Sequence, residues 1–333
     1  MSQTRRRQFL IATGALLAAP LVRAQQANKV FRVALISSTT PIAEMADPLN
    51  PFGRALLHEL RVLGYIEGRN LIVERRSAEG RPERYSEIAA ELVRLKTDVI
   101  VAGGGALFIR PVKESAGNIP IVMISNSQVV ELGVVAGLAR PGGNVTGVLS
   151  DTGPENELKR LQLLKELIPT RSRVAYLAPG PFWDLPIAQA IRRGAPSLGV
   201  ELLHAEHSPT DIDATLAALA RQRPDALIAS LTASTYAHRR EIVEFALKTR
   251  LPAIYPYSDM AEMGGLMSYG VSGSDLGRRA AVYVAKILKG ARPGDLPIEQ
   301  VTRFELLVNT KTARAIGITI PQSVLLRADR VIE

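Results

Sequence analysis

The chain predicts an α/β fold of two doubly wound lobes with parallel sheets, on three observations. Short apolar runs end in polar loops, stretches with helical apolar spacing lie between them, and the whole series occurs twice. A parallel strand is covered on both faces and so reads as continuous Val/Ile/Leu/Ala, whereas its covering helices are apolar on one stripe only.

The first series opens at residues 30–36, an apolar run that stops at Ser37, Ser38, Thr39, Thr40 and Pro41 and reads as a buried strand. Residues 52–63 carry Leu56, Leu57, Leu60 and Leu63 at helical spacing and end at Gly64, a residue suited to the left-handed turn after a helix. Residues 71–75 predict the second strand and 82–95 the second helix. A third strand at 98–102 runs into Gly103, Gly104 and Gly105. Residues 119–124 follow as a strand, then a helix is expected, then a strand at 144–149.

The second series starts after Ser150 with a helix at 157–167 and a strand at 173–177. Residues 185–198 predict a helix, 200–205 a strand, 211–220 a helix capped by Thr210, and 225–229 a strand. A helix at 235–247 and a strand at 252–255 continue it. The chain ends with an amphipathic helix at 276–288 that stops at Gly290, a Pro-rich stretch at 291–297, a strand at 304–308 and a short helix at 312–316.

Ahead of both series, residues 1–24 read as an export signal of the twin-arginine type. Arg6 and Arg7 precede an apolar run of fourteen residues, and Val22-Arg23-Ala24 offers small residues for cleavage. The run is short of the roughly 20 residues that span a bilayer. No cysteine follows it, so the mature protein is expected to be free in the periplasm. The formal charge of +9 falls to +5 without those residues, which hold four arginines and no acid. No Lys/Arg stripe interleaved with aromatics stands out, so a nucleic-acid partner is not expected. The absence of Cys removes disulfides, thiolate chemistry and zinc-thiolate sites.

In open α/β sheets ligands bind beyond the carboxyl ends of the strands, so the residues just after each strand are the candidates. They are Ser37 and Ser38, Gly104 and Gly105, Ser125 and Asn126, Trp183 in the loop from 179 to 184, Thr232, Tyr257 and Asp259. Hydroxyls and backbone N–H groups at helix starts suit a carboxylate or another small anion. The glycine run lacks the Lys-Ser/Thr of a P-loop, so it offers either a close backbone approach to an anion or a tight strand-to-helix turn. Trp183, the only tryptophan, can stack on a flat ligand or pack its loop onto its own lobe. Asp184 and Asp259 can meet a ligand ammonium or act as caps and solvated loop charges. An enzyme reading finds no Gly-x-Ser-x-Gly elbow, no His-Glu-x-x-His and no paired ligands among His58, His204, His207 and His238, so neither a metal nor a cofactor is expected.

Several stretches, taken together and in order, resemble the TrpX-like family of ABC-transporter substrate-binding proteins. They include residues 63–70 (LGYIEGRN), 78–84 (AEGRPER), 91–96 (ELVRLK), 138–147 (LARPGGNVTG), 251–255 (LPAIY), 264–270 (GGLMSYG) and 325–329 (LLRAD). The resemblance covers essentially the whole mature chain. It implies a type I periplasmic binding protein fold: two Rossmann-like lobes joined by a hinge of several crossovers, with residues 29–148 and 275–295 in one lobe and 149–274 and 300–333 in the other. It implies a soluble receptor, expected to be a monomer, that traps an amino acid, aromatic carboxylate or similar small solute and delivers it to ABC permease subunits. Where relatives often carry Asp-Pro after the fourth strand, this chain has Asn126-Ser127-Gln128. A periplasmic ligand sensor without transport and a cofactor-free periplasmic enzyme are the alternatives. An effector-binding transcription regulator would need a DNA-binding headpiece where this chain has its signal.

Overall fold

The computed structural model describes residues 29–45, 50–125, 127–150, 153, 155–170, 172–208 and 211–333. The export signal at 1–24, Asn126 and the proposed cap Thr210 lie outside them.

The first sheet is built from β1 (Phe31–Ser37), β2 (Leu71–Ser77), β3 (Val99–Gly103), β4 (Ile121–Ser125), β5 (Val145–Leu149) and the two-residue β11 (Glu299–Gln300). Its order is β11-β5-β4-β3-β1-β2, and every pairing is parallel. Alternate residues of each strand face opposite helical layers, as the pleat requires. Ala34, Ile100, Ala102, Ile121 and Met123 pack with Ile88 and Leu92 of α3 (Arg84–Arg94) and with Phe108, Ile109 and Val112 of α4 (Ala106–Ser115). Val33, Leu35, Val99, Val101 and Val122 pack with Leu56 and Leu60 of α2 (Pro51–Val62) and with Ala280 and Val284 of α12 (Gly273–Leu288). A four-residue helix, α1 (Ile42–Met45), precedes α2. The α2–α12 approach depends on Gly277, where a Cβ would lie 2.4 Å from the Phe52 carbonyl oxygen and 2.9 Å from the Leu56 nitrogen.

The second sheet comprises β6 (Arg173–Ala178), β7 (Glu201–Glu206), β8 (Ala226–Ala229), β9 (Ala253–Tyr255), β10 (Met267–Gly270), β12 (Glu305–Asn309) and β13 (Arg330–Ile332), in the order β13-β12-β10-β9-β8-β6-β7. Leu161 and Leu164 of α5 (Glu155–Leu167) and Ile191 of α7 (Pro186–Gly194) cover one face. Leu216 and Leu219 of α8 (Asp213–Gln222) and Ile242 and Val243 of α10 (Arg239–Lys248) cover the other. Short helices α6 (Gly180–Trp183), α9 (Ala233–Ala237) and α11 (Ser258–Glu262) follow β6, β8 and β9, while α13 (Thr310–Ile316) and α14 (Gln322–Leu325) lie near the C-terminus.

Three expectations change. No α-helix joins β4 to β5; a 3-10 turn at Ser127–Val129 leads into irregular chain, because Gly133, Gly142 and Gly143 adopt positive φ and Pro141 lacks an N–H. The helix expected at 235–247 divides at His238 into α9 and α10. The second sheet is not wholly parallel: β12 returns antiparallel beside β10 after the chain has left the first sheet. The chain thus passes between the sheets three times, after β5, after β10 and after β11. Arg160 ties two of these passages together. Buried with Glu157 on α5, it donates from Nε to the Tyr269 carbonyl of β10 at 2.8 Å.

Candidate functional site

In the first sheet the carboxyl ends lie side by side, since Ser37 is in register with Ser77 and with Gly103, and Ser125 with Leu149. Ser37 is consumed locally: its Oγ accepts from the Thr39 and Thr40 N–H groups at 3.2 and 2.9 Å and turns the loop. Ser38 is buried beside Gly104, where a Cβ would come within 3.0 Å of the Ser38 Oγ and 2.6 Å of the Phe108 Cδ1. The Gly104 N–H donates to the Ile124 carbonyl at 3.1 Å, so it belongs to the sheet ladder, a correction to its expected role as a free anion donor. Gly105 is the extended N-cap of the ten-residue α4, with no side chain to cap the first turn. Ser125, 3% exposed, ends β4 on the same face as α3 and α4, and its Oγ has no hydrogen-bond partner among the described residues. Ser150 donates from both its N–H and its hydroxyl to the Ser125 carbonyl, at 2.9 and 3.1 Å, which fixes the backbone there.

The second lobe presents a polar and aromatic group after β8 and β9. Thr232 caps α9, its Oγ1 accepting from the Thr235 N–H at 3.1 Å and donating to the Thr235 Oγ1 at 2.8 Å. Thr235 also meets Ser230 Oγ at 3.0 Å and His207 Nε2 at 3.2 Å. Because His207 Nδ1 faces the Ser208 carbonyl at 3.1 Å, which only accepts, the ring carries its proton on Nδ1 and accepts at Nε2. Tyr257 donates to the Thr232 carbonyl at 3.2 Å, and its ring meets Tyr236 edge-on at 4.7 Å. Asp259, 8% exposed, accepts from the Tyr236 hydroxyl at 2.8 Å. Burial pushes its carboxyl pKa up, against the lowering pull of that hydrogen bond and of Arg239. Asp259 therefore has partners within its own lobe. Burial, the nearby Asp259 charge and that hydrogen bond also push the Tyr236 hydroxyl well above its ordinary value.

Two candidates sit elsewhere. Trp183 lies at the β6–β7 edge, stacked on His204 at 4.3 Å with the ring planes nearly parallel at 2°, and with Arg192 4.7 Å over its ring. It packs onto the core of its own lobe together with Phe182. Asp184, 83% exposed, stands beside Arg192 at 4.0 Å. Sequence reasoning missed Tyr236, Arg239 and Glu44. Tyr236 was within reach, since it lies one helical turn beyond the cap Thr232; the other two become neighbours only in the folded chain. No group of three His, Asp or Glu residues that could hold a metal occurs among the described residues. Nor is any described helix long and apolar enough to cross a membrane.

The comparisons agree with this architecture. The family model for ABC transporter substrate-binding proteins matches residues 49–332. The tyrosine-binding protein of Clostridioides difficile (strain R20291) is 23% identical over 269 residues, 79% of this chain and 75% of that protein. A conserved domain protein from Vibrio cholerae O1 biovar El Tor superposes with a TM-score of 0.77 at 25% identity, over 91% of this chain and 100% of that one. An ABC domain from Streptococcus pneumoniae solved in complex with L-Trp shares the fold, with a TM-score of 0.75 at 21% identity over 91% and 99% of the two chains. Two parallel-dominated lobes of the type I periplasmic binding plan, polar strand ends and a match across nearly the whole described chain lead to one conclusion: this protein belongs to the ABC transporter substrate-binding protein family, whose members bind small solutes and deliver them to ABC permeases.

Proposed function

We propose that the protein captures a small solute bearing a carboxylate and a flat or aromatic part, such as an aromatic amino acid or an aromatic carboxylate. One lobe is built on the first sheet with α12 and β11 and the other on the second sheet, and closure between them delivers the solute to an importer's membrane subunits. The observation that carries this reading is the Ser125 hydroxyl, buried yet without a partner among the described residues, at the carboxyl edge of the sheet. A buried hydroxyl left unpaired is costly, and a carboxylate oxygen would satisfy it. The adjoining start of α4 at Gly105 adds first-turn N–H groups that no side chain caps and the positive end of a helix dipole. Across the cleft, Tyr257 and Tyr236 supply rings for an aromatic part, with Tyr257 tied to the Thr232 carbonyl. The tyrosine-binding and L-Trp-bound relatives support the aromatic choice. Export through the Arg6-Arg7 signal and a monomeric, soluble life in the periplasm complete the proposal.

A thermal-shift screen of the mature protein against aromatic amino acids, aromatic carboxylates, purines and sugars identifies the solute. A binder at 100 times its dissociation constant adds about 2.7 kcal/mol of stability. Calorimetric titration then compares Ser125→Ala with Ser323→Ala, an exposed serine on α14. A hydrogen bond to a charged group is worth about 1.5–3 kcal/mol, so Ser125→Ala weakens binding about tenfold or more while Ser323→Ala changes nothing. Equal affinities would remove Ser125 and the start of α4 from the site.

A further inference from the structure

Among the described residues, side-chain contacts cross the cleft from lobe to lobe at Thr39 and at Arg239. The Thr39 hydroxyl donates to the Ala233 carbonyl at 3.1 Å, and the Arg239 guanidinium donates from Nη2 to the Glu44 carboxylate. The second is the more informative, because of how Arg239 is held. The side chain is 6% exposed and is fixed by its own lobe at three points. Its guanidinium lies over the Tyr236 ring at 4.4 Å, its Nη1 donates to the Tyr236 carbonyl at 3.0 Å, and its Nε stands 3.6 Å from the Asp259 Oδ2. That Nε has no hydrogen-bond acceptor at its present distance. None of the three restraints involves the first lobe. The long arginine side chain has therefore lost its rotamer freedom before Glu44 reaches it, and lobe closure is spared that entropy.

We infer that Arg239 is a positioning residue for closure: a guanidinium pre-set by Tyr236 and Asp259 that captures Glu44 of the opposite lobe and biases the empty receptor toward its closed arrangement. When the lobes separate, Nη2 returns to water and Asp259 keeps the guanidinium in place. This rests on the two-lobe capture reading but concerns the lobes and not the solute. A solute that needs the closed form binds with an apparent dissociation constant equal to the intrinsic one divided by the closed fraction, so the strap tightens binding without touching the solute.

The chain has no cysteine, so single cysteines take labels at chosen sites only. Leu107→Cys on α4, 76% exposed, and Glu244→Cys, exposed on α10, place one spin label on each lobe. Pulsed electron-electron resonance then reads the inter-lobe distance with no solute added. The labelled parent is expected to show a short-distance population that shrinks in Glu44→Ala and in 1 M NaCl. Arg239→Lys is expected to retain part of it, since an ammonium reaches Glu44 but loses the bond to the Tyr236 carbonyl. Should Arg239→Lys misfold, Glu44→Ala alone carries the test, because Glu44 sits on a short, half-exposed helix. With a solute from the screen in hand, Glu44→Ala weakens binding about tenfold through faster release. Identical distance distributions in the parent and Glu44→Ala, or a parent showing only the long distance, would overturn the inference. If Ser125→Ala binds normally while the strap responds as expected, the solute site is misplaced and the strap stands. The converse pair of results leaves the solute site intact and removes the strap.

Discussion

His207 shows how one buried side chain ties local hydrogen bonding to the acid stability of the second lobe. Burial lowers its pKa below the ordinary 6.5; the Ser208 carbonyl opposes this, and His238 and His204 reinforce it. The native ring thus binds protons less readily than the unfolded one. Its contribution to stability is whole above about pH 6.5 and is lost as the pH falls through the depressed folded value. His207→Gln keeps a donor and an acceptor but cannot titrate. The fall in melting temperature between about pH 6.5 and 5 should be shallower in that variant than in the parent, and parallel curves would assign the acid sensitivity to other groups. At this scale the sequence is only partly legible. That Ser125, Thr232 and Tyr257 stand just beyond strand ends is legible in the sequence, because it needs only local order. The role of Trp183 is not: whether its ring meets a solute or His204 depends on a strand that the chain forms some twenty residues later.

At the scale of elements, the close pairing of α2 and α12 depends on Gly277. A methyl group there would meet backbone atoms of α2, which cannot swing aside as a side-chain end can. Gly277→Ala is expected to cost about 1–3 kcal/mol, seen as a lower urea midpoint with an unchanged slope. Arg278→Ala on the exposed face of the same helix should stay within about 0.5 kcal/mol of the parent. Equal losses would mean that the helices adjust their spacing freely. The strands and most helices could be read from the chain because each has one dominant pattern: apolar runs such as Val99–Gly103, or the helical stripe of α2. The missing helix before β5 and the break at His238 could not. In the first the expected helix met three glycines in positive φ, and in the second the apolar stripe continues across a backbone turn that only the capping geometry reveals.

For the whole molecule, the strap between Glu44 and Arg239 joins positions 195 residues apart, beyond the reach of any spacing rule, whereas the two-lobe plan repeats along the chain and is plain in its sequence. The export proposed from the Arg6-Arg7 signal is also tested on the whole chain. Arg6→Lys with Arg7→Lys should leave precursor in the cytoplasm, seen as an unprocessed band in the cell fraction; normal processing would assign the protein to the general secretory route. The position of α12 carries one more consequence, for how the molecule is made. The first sheet forms from the earliest residues, yet one of its two covering layers is completed by residues 273–288 and its edge by residues 299–300. A nascent chain that has delivered β1 to β5 has only α2 over the face of Val33, Leu35, Val99, Val101 and Val122, and lacks the half of that layer that α12 supplies. The N-terminal lobe, although its synthesis begins first, is therefore completed only after residue 300 has been made, and its late step is a long-range docking event, slow in the way that high contact order makes folding slow. A chain truncated before residue 273 would leave part of that apolar face open in the lobe that its own sequence encodes first, an aggregation hazard.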